Sequence, residues 1–187
     1  VVNAPLPIKP LQILFLNLVT DVFPALALGV SEGDEYLMHR PPRDPDESIL
    51  TRKHWTQIGG YSLLITLAVL AALGIALTQL GMQQERAITL SFLTLAFAQL
   101  WHVFNMRDPD AGLIRNEVTQ NPYVWGALIL SAGLILVVIY VPFLAELLQL
   151  QRPGLNGWAL VLGLSLLPLI LVQLIEGIGR AFGSDRG

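Results

Sequence analysis

Ile58–Leu80 reads IGGYSLLITLAVLAALGIALTQL, a run with no charged side chain. At ~1.5 Å of rise per residue, a helix of this length crosses a ~30 Å hydrocarbon layer. A strand or loop at that depth would leave backbone groups unpaired, so the run is read as a membrane-spanning helix. Comparable apolar blocks occupy 11–30, 87–106, 123–144 and 155–178. With 58–80 they predict an all-α membrane protein, a bundle of five transmembrane helices.

Composition agrees. Of 187 residues, 53% are hydrophobic and 13% charged, about half the charge of an ordinary soluble domain. Mean hydropathy is +0.60. A disordered chain and a disulfide scaffold are excluded. Net charge is −3, so no basic surface invites nucleic acid. There is no cysteine, which removes thiolate metal sites and thiol redox chemistry. The chain opens on Val1, and Pro5, Pro7 and Pro10 break its start. No signal peptide is legible there, and a segment of a longer protein is expected.

The connections are short and polar, the longest being 31–53, with Pro41, Pro42 and Pro45. Gln83–Arg86 and Gln149–Pro153 are read as tight links. Arg40, Arg43, Arg52, Lys53, Arg107, Arg115, Arg180 and Arg186 fall on one side of the membrane, against Lys9, Arg86 and Arg152 on the other. The richer side faces the cytoplasm, which places the N-terminus outside and the C-terminus in the cytoplasm. Trp55, Trp101, Tyr123, Trp125, Tyr140 and Trp158 lie near block ends, where amphipathic rings anchor at the interface. Ala68, Ala72 and Ala76 form a small-residue stripe, and Gly126 and Gly133 share a face; both are read as ordinary helix packing.

The first block is chemically different. Asp21 lies near its middle, where a carboxylate costs ~2.5–3.5 kcal/mol on insertion scales. Asn17 is one turn earlier on the same face, and Thr20 is on the neighbouring edge. Pro24 has no N–H, so the carbonyl of Thr20 is expected to lose its helical partner. Amide, hydroxyl, carboxylate and freed carbonyl are hard oxygen donors, suited to Ca²⁺, Mg²⁺, Mn²⁺, Na⁺ or K⁺. Asn17 and Asp21 are the expected metal ligands, with Thr20 beside them. The alternatives are a protonated structural Asp21, Asn17 as helix–helix glue, and Thr20 bonded to its own helix. A calcium-like ion takes 6–8 oxygens, so other helices must complete the site.

Leu16-Asn17-Leu18-Val19-Thr20-Asp21-Val22-Phe23-Pro24-Ala25-Leu26-Ala27-Leu28-Gly29 resembles the sixth transmembrane helix of calcium-type P-type ATPases. Arg40-Pro41-Pro42-Arg43 resembles that family's loop between helices six and seven. Ile58-Gly59-Gly60-Tyr61 looks like the start of helix seven, and Leu167-Pro168 like the kink of helix ten. The likeness runs over nearly the whole chain. It implies the C-terminal membrane portion of an ATP-driven cation pump, helices six to ten, with Ca²⁺ as the transported ion. It places ion ligands on Asn17, Thr20 and Asp21. The family's helix-eight glutamate falls at Gln99, an oxygen donor without charge, which implies one divalent ion per cycle. Arg40 and Arg43 are implied contacts with the phosphorylation domain; the alternative is a pair of positive-inside anchors.

The segment has no catalytic residue of its own, since the DKTG phosphorylation motif is absent. ATP and Mg²⁺ would act in the full-length protein only. The implied partners are the lipid bilayer and the remaining N-terminal part of the same pump, helices one to five with the cytoplasmic domains. His102 is read as an interfacial or packed residue, the alternative being a proton shuttle. Glu146 and Glu176 are read as boundary residues. The competing functions are the same pump type for Na⁺ or Mn²⁺, and a stand-alone five-helix scaffold or regulatory subunit. Compact loops and a short tail point to a bacterial plasma membrane.

Overall fold

The computed structural model describes residues 6–30, 51–106 and 116–183, with the side chains of Lys53, Glu117 and 178–183 left aside. Within these lie five helical spans long and apolar enough to cross a membrane. The first is composite: α1 (Pro10–Leu16), a π-helical segment (Asn17–Val22) and α2 (Phe23–Gly29). Then come α3 (Arg52–Thr78) and α4 (Gln84–His102), the latter closing in a 3₁₀ turn over Val103–Asn105. A short α5 (Glu117–Gln120) precedes α6 (Pro122–Tyr140), α7 (Pro142–Leu147) and α8 (Gly154–Gly183).

Local chemistry sets the helix ends, which differ from the sequence expectation at several points. Helix α3 starts at Arg52, so Arg52 and Lys53 are helical and not loop. Thr51 caps it, its hydroxyl accepting from the His54 N–H at 3.5 Å and so serving an orphan first-turn donor. The connection to α4 is Gln79–Gln83, and Arg86 is already inside α4. Asn121 caps α6 by accepting from the Tyr123 N–H at 2.8 Å. The fourth span ends at Tyr140, short of the expected 144. Pro142 disfavours helical geometry at Val141, which is extended at φ −81°, ψ 113°, and a new short helix starts.

Helix α4 is the centre of the bundle, packed against α3, α8 and α6. Leu90, Phe92, Leu93 and Ala96 on it are fully buried. Ala68, Ala72 and Ala76 of α3 are buried as well. Small residues let helix axes approach, and in lipid that close van der Waals contact is a main source of association. Gly126 and Gly133 play no such part here, because a Cβ at either would meet nothing within 4 Å. The first span packs on α6. Gln12, fully buried, pins its start, accepting from the Lys9 N–H at 3.0 Å and donating to the Leu148 carbonyl at 3.0 Å.

Candidate ion-binding site

The polar residues of the first span coincide with its π-helical segment, Asn17–Val22. A π turn pairs each N–H with the carbonyl five residues back and fits one extra residue into the turn. Pro24 follows at the first turn of α2, where a missing N–H is tolerated. Pro24 leaves a carbonyl of the preceding turn without its helical N–H. The Ser131 hydroxyl of α6 donates to the Val19 carbonyl at 2.8 Å, in a buried position. Asn121 Nδ2 also donates to the Ala27 carbonyl at 3.3 Å. The disturbed helix is thus held from α6 and need not be repaired by its own backbone.

This winding divides the cluster. Thr20 turns inward and is buried, while Asn17 and Asp21 are exposed on the outer surface of the bundle. The Thr20 hydroxyl lies 2.9 Å from the Leu16 carbonyl, 3.1 Å from Gln99 Oε1 and 3.2 Å from Asp21 Oδ1. The bond to Leu16 is the own-helix bond open to any helical threonine. The structure therefore brings Thr20, Asp21 and Gln99 together. Asn17 has no described partner and shares only the face of Asp21.

A hydroxyl carries one proton. Three acceptor oxygens around it make a proton-poor point, and turning the Gln99 amide end for end would supply only one more donor. A bound cation or an added proton relieves that arrangement. A cavity of about 440 Å³ adjoins it, bounded by the first span, α3 and the end of α4. Thr20, Asp21 and Gln99 line it with Tyr61, Ser62 and His102. Among the described residues no group of three His, Asp or Glu side chains stands together. The site offered by this chain is one carboxylate supported by neutral oxygens, short of the 6–8 oxygens of a calcium sphere.

His102 is packed, edge-on to the Tyr61 ring with centroids 4.7 Å apart and 3.5 Å from Asn105 Nδ2. The Tyr61 hydroxyl donates to Glu176 at 3.2 Å, so Glu176 is tied across to α3. Glu146 lies in α7, on the far side of the break at Val141. Arg40 and Arg43 fall outside the described residues. Sequence reasoning missed the π winding and the supporting role of Ser131. Ser131 was visible as the single aliphatic hydroxyl in the apolar run 123–140, but nothing in that run says which carbonyl it meets.

Fold and side chains together define a multi-pass membrane protein with a cluster of oxygen-bearing side chains on its first span. The family model described as "Cation transporting ATPase, C-terminus" matches residues 5–178, and the chain belongs to that family. It is 39% identical over 168 residues to a calcium-transporting ATPase of Bacillus subtilis, covering 90% of this chain and 19% of the relative. It is 31% identical to calcium-transporting ATPase 9, plasma membrane-type, of Arabidopsis thaliana, covering 89% of this chain and 16% of that protein. A calcium-transporting ATPase of Listeria monocytogenes is 29% identical over 94% of this chain and 20% of its own length. The chain thus spans about a fifth of the length of these relatives.

Proposed function

We propose that this chain is the C-terminal membrane portion of an ATP-driven pump that moves Ca²⁺ across a bacterial plasma membrane. The observation that carries the reading is the outward face of the first span. Asn17 and Asp21 are exposed at mid-span, where an uncovered carboxylate is costly. Helices from the rest of the pump would cover that face and complete the oxygen shell. The relatives named as calcium-transporting ATPases supply the ion.

In this reading Asp21 supplies the charge and Asn17 an amide oxygen on the same face. Thr20 sets the inward edge, and Gln99 reaches it from α4. Gln99 adds oxygen without a second charge, which supports one divalent ion per cycle. The eight-to-three division of basic residues places the N-terminus outside. Arg40 and Arg43 would then face the cytoplasmic phosphorylation domain. ATP and Mg²⁺ would act there, outside this chain.

The test is Asp21→Asn in the full-length protein. Calcium-dependent phosphorylation by ATP is expected to disappear, because an amide cannot neutralise a divalent ion. Phosphoenzyme at the ordinary level would remove Asp21 from the site. A measured stoichiometry of two ions per ATP would overturn the single-ion reading and leave the pump assignment standing.

A further inference from the structure

At the opposite end of the spans from His102, the connections Gln79–Gln83 and Gln151–Pro153 enclose a second cavity of about 650 Å³. Gln83, Arg86, Gln151 and Asn156 give it polar walls, with Leu80 and Leu155 beside them. It contains none of the residues of the ion site. We propose that this cavity binds the phosphate of an anionic phospholipid headgroup, with Arg86 as the cation that holds it. The proposal needs the membrane fold but not the pump assignment.

The surroundings of Arg86 support it. Arg86 is a partly buried guanidinium that pairs with no carboxylate among the described residues. Its Nη2 donates to the Pro153 carbonyl at 2.7 Å, which fixes the group in the cavity wall, and its Nε is sealed from solvent without a partner. Gly154 makes room for this placement: its φ is +69°, and a Cβ there would collide with Nη2. The remaining Nη hydrogens have no described acceptor, and phosphate oxygens match that planar donor set. The nearest carboxylate in sequence, Glu85, is already engaged by Gln151 Nε2 at 2.7 Å.

The cavity also lies at headgroup depth. Trp158 Nε1 donates to the Tyr140 hydroxyl at 3.1 Å, and the Arg152 guanidinium sits 5.8 Å above the Tyr140 ring. Such rings settle at the membrane–water boundary. Leu155, 87% exposed at the cavity edge, offers an apolar surface to an acyl chain. Both α4 and α8 begin here, so the positive ends of two long helices add to the charge of Arg86. A fixed guanidinium between spans at this depth has the donor chemistry of a phosphate headgroup site.

The experiment uses the full-length protein in nanodiscs of phosphatidylcholine with a minority of phosphatidylglycerol, with retained lipid counted by native mass spectrometry. Wild type should retain phosphatidylglycerol in preference to phosphatidylcholine. Arg86→Gln should cut that retention about tenfold, the size of one charge-assisted contact. Asn156→Asp keeps the bond from Arg86 to Pro153 but places an anion in the cavity, and should cut retention to a similar degree. It serves as the reporter if Arg86→Gln fails to fold. Binding of inorganic phosphate to the detergent-solubilised protein, lost in Asn156→Asp and without phosphatidylglycerol preference, would keep the phosphate site and reassign its source to solution. Equal phosphatidylglycerol retention in wild type and Asn156→Asp, with no phosphate binding, would overturn the proposal.

Discussion

The first and third spans both carry polar side chains through the membrane, and the bundle treats them in opposite ways. In the third, 72% of the most apolar stretch is buried, against 33% in the first. Thr89, Ser91 and Thr94 of α4 are fully buried. Thr89 and Ser91 donate to the carbonyls of Glu85 and Ala87 at 3.0 and 3.2 Å, a turn back on their own helix. Thr89 also accepts from the Gln151 N–H at 3.0 Å, fastening the connection before α8. Asn17 and Asp21 on the first span face outward instead. The small hydroxyl side chains of α4 go inside, two of these three bonded to their own helix.

The third span is also the least apolar of the five, and the last span, the most apolar, has only 22% of its stretch buried. In water the order would run the other way. In a bilayer the lipid is as apolar as a protein core, so hydrophobicity does not drive helices together. Small and hydroxyl-bearing residues then choose the interior.

Four substitutions test this contrast. Phe92→Ala at the centre of α4 should cost about 2 kcal/mol of unfolding free energy. That is below the 3–5 kcal/mol of soluble cores, because the cavity penalty remains while transfer into lipid costs little. Steric trapping or a denaturant titration in detergent would measure it, and no loss would show that α4 is not the packing centre. Asn17→Ala should lower apparent ion affinity about tenfold, ~1.4 kcal/mol, without a change in melting temperature. A large loss of stability with unchanged affinity would make Asn17 a packing residue.

Ser131→Ala should cost about 1 kcal/mol by leaving the buried Val19 carbonyl without its donor. If Ser131 holds the π-wound turn that carries Asp21, the same change should also disturb ion affinity, which separates it from an ordinary lost hydrogen bond. Thr94→Val should be the smallest effect. Its buried hydroxyl oxygen has no partner, so an isosteric apolar side chain is expected to be neutral, within about 0.5 kcal/mol, or slightly stabilising. A thermal shift assay on purified protein would register the sign.

The helix ends show how far local rules reach. Thr51 and Asn121 are recognisable caps, and the stop before Pro142 follows from proline sterics. The apolar blocks overshot at 144 because hydropathy does not register a break between two apolar segments. Asn17, Thr20 and Asp21 were legible as a group because oxygen side chains are conspicuous in an apolar helix. Their division into one inward and two outward residues was not, since a 3.6-residue period assumes no extra residue in the turn.

Five apolar blocks able to cross a membrane, and a group of oxygen side chains around Asp21, were legible in the sequence alone. Both follow from local costs: an unpaired peptide group or a charge in hydrocarbon is expensive wherever its neighbours lie. The packing of the helices, in contrast, set the least apolar span at the centre and put Ser131 against the π-wound turn. It also showed that Gln99 and Asp21 meet at the Thr20 hydroxyl while Asn17 is left exposed without a described partner. These depend on which helix faces which, and a solvent as apolar as the core leaves that choice to packing and hydrogen bonds between spans.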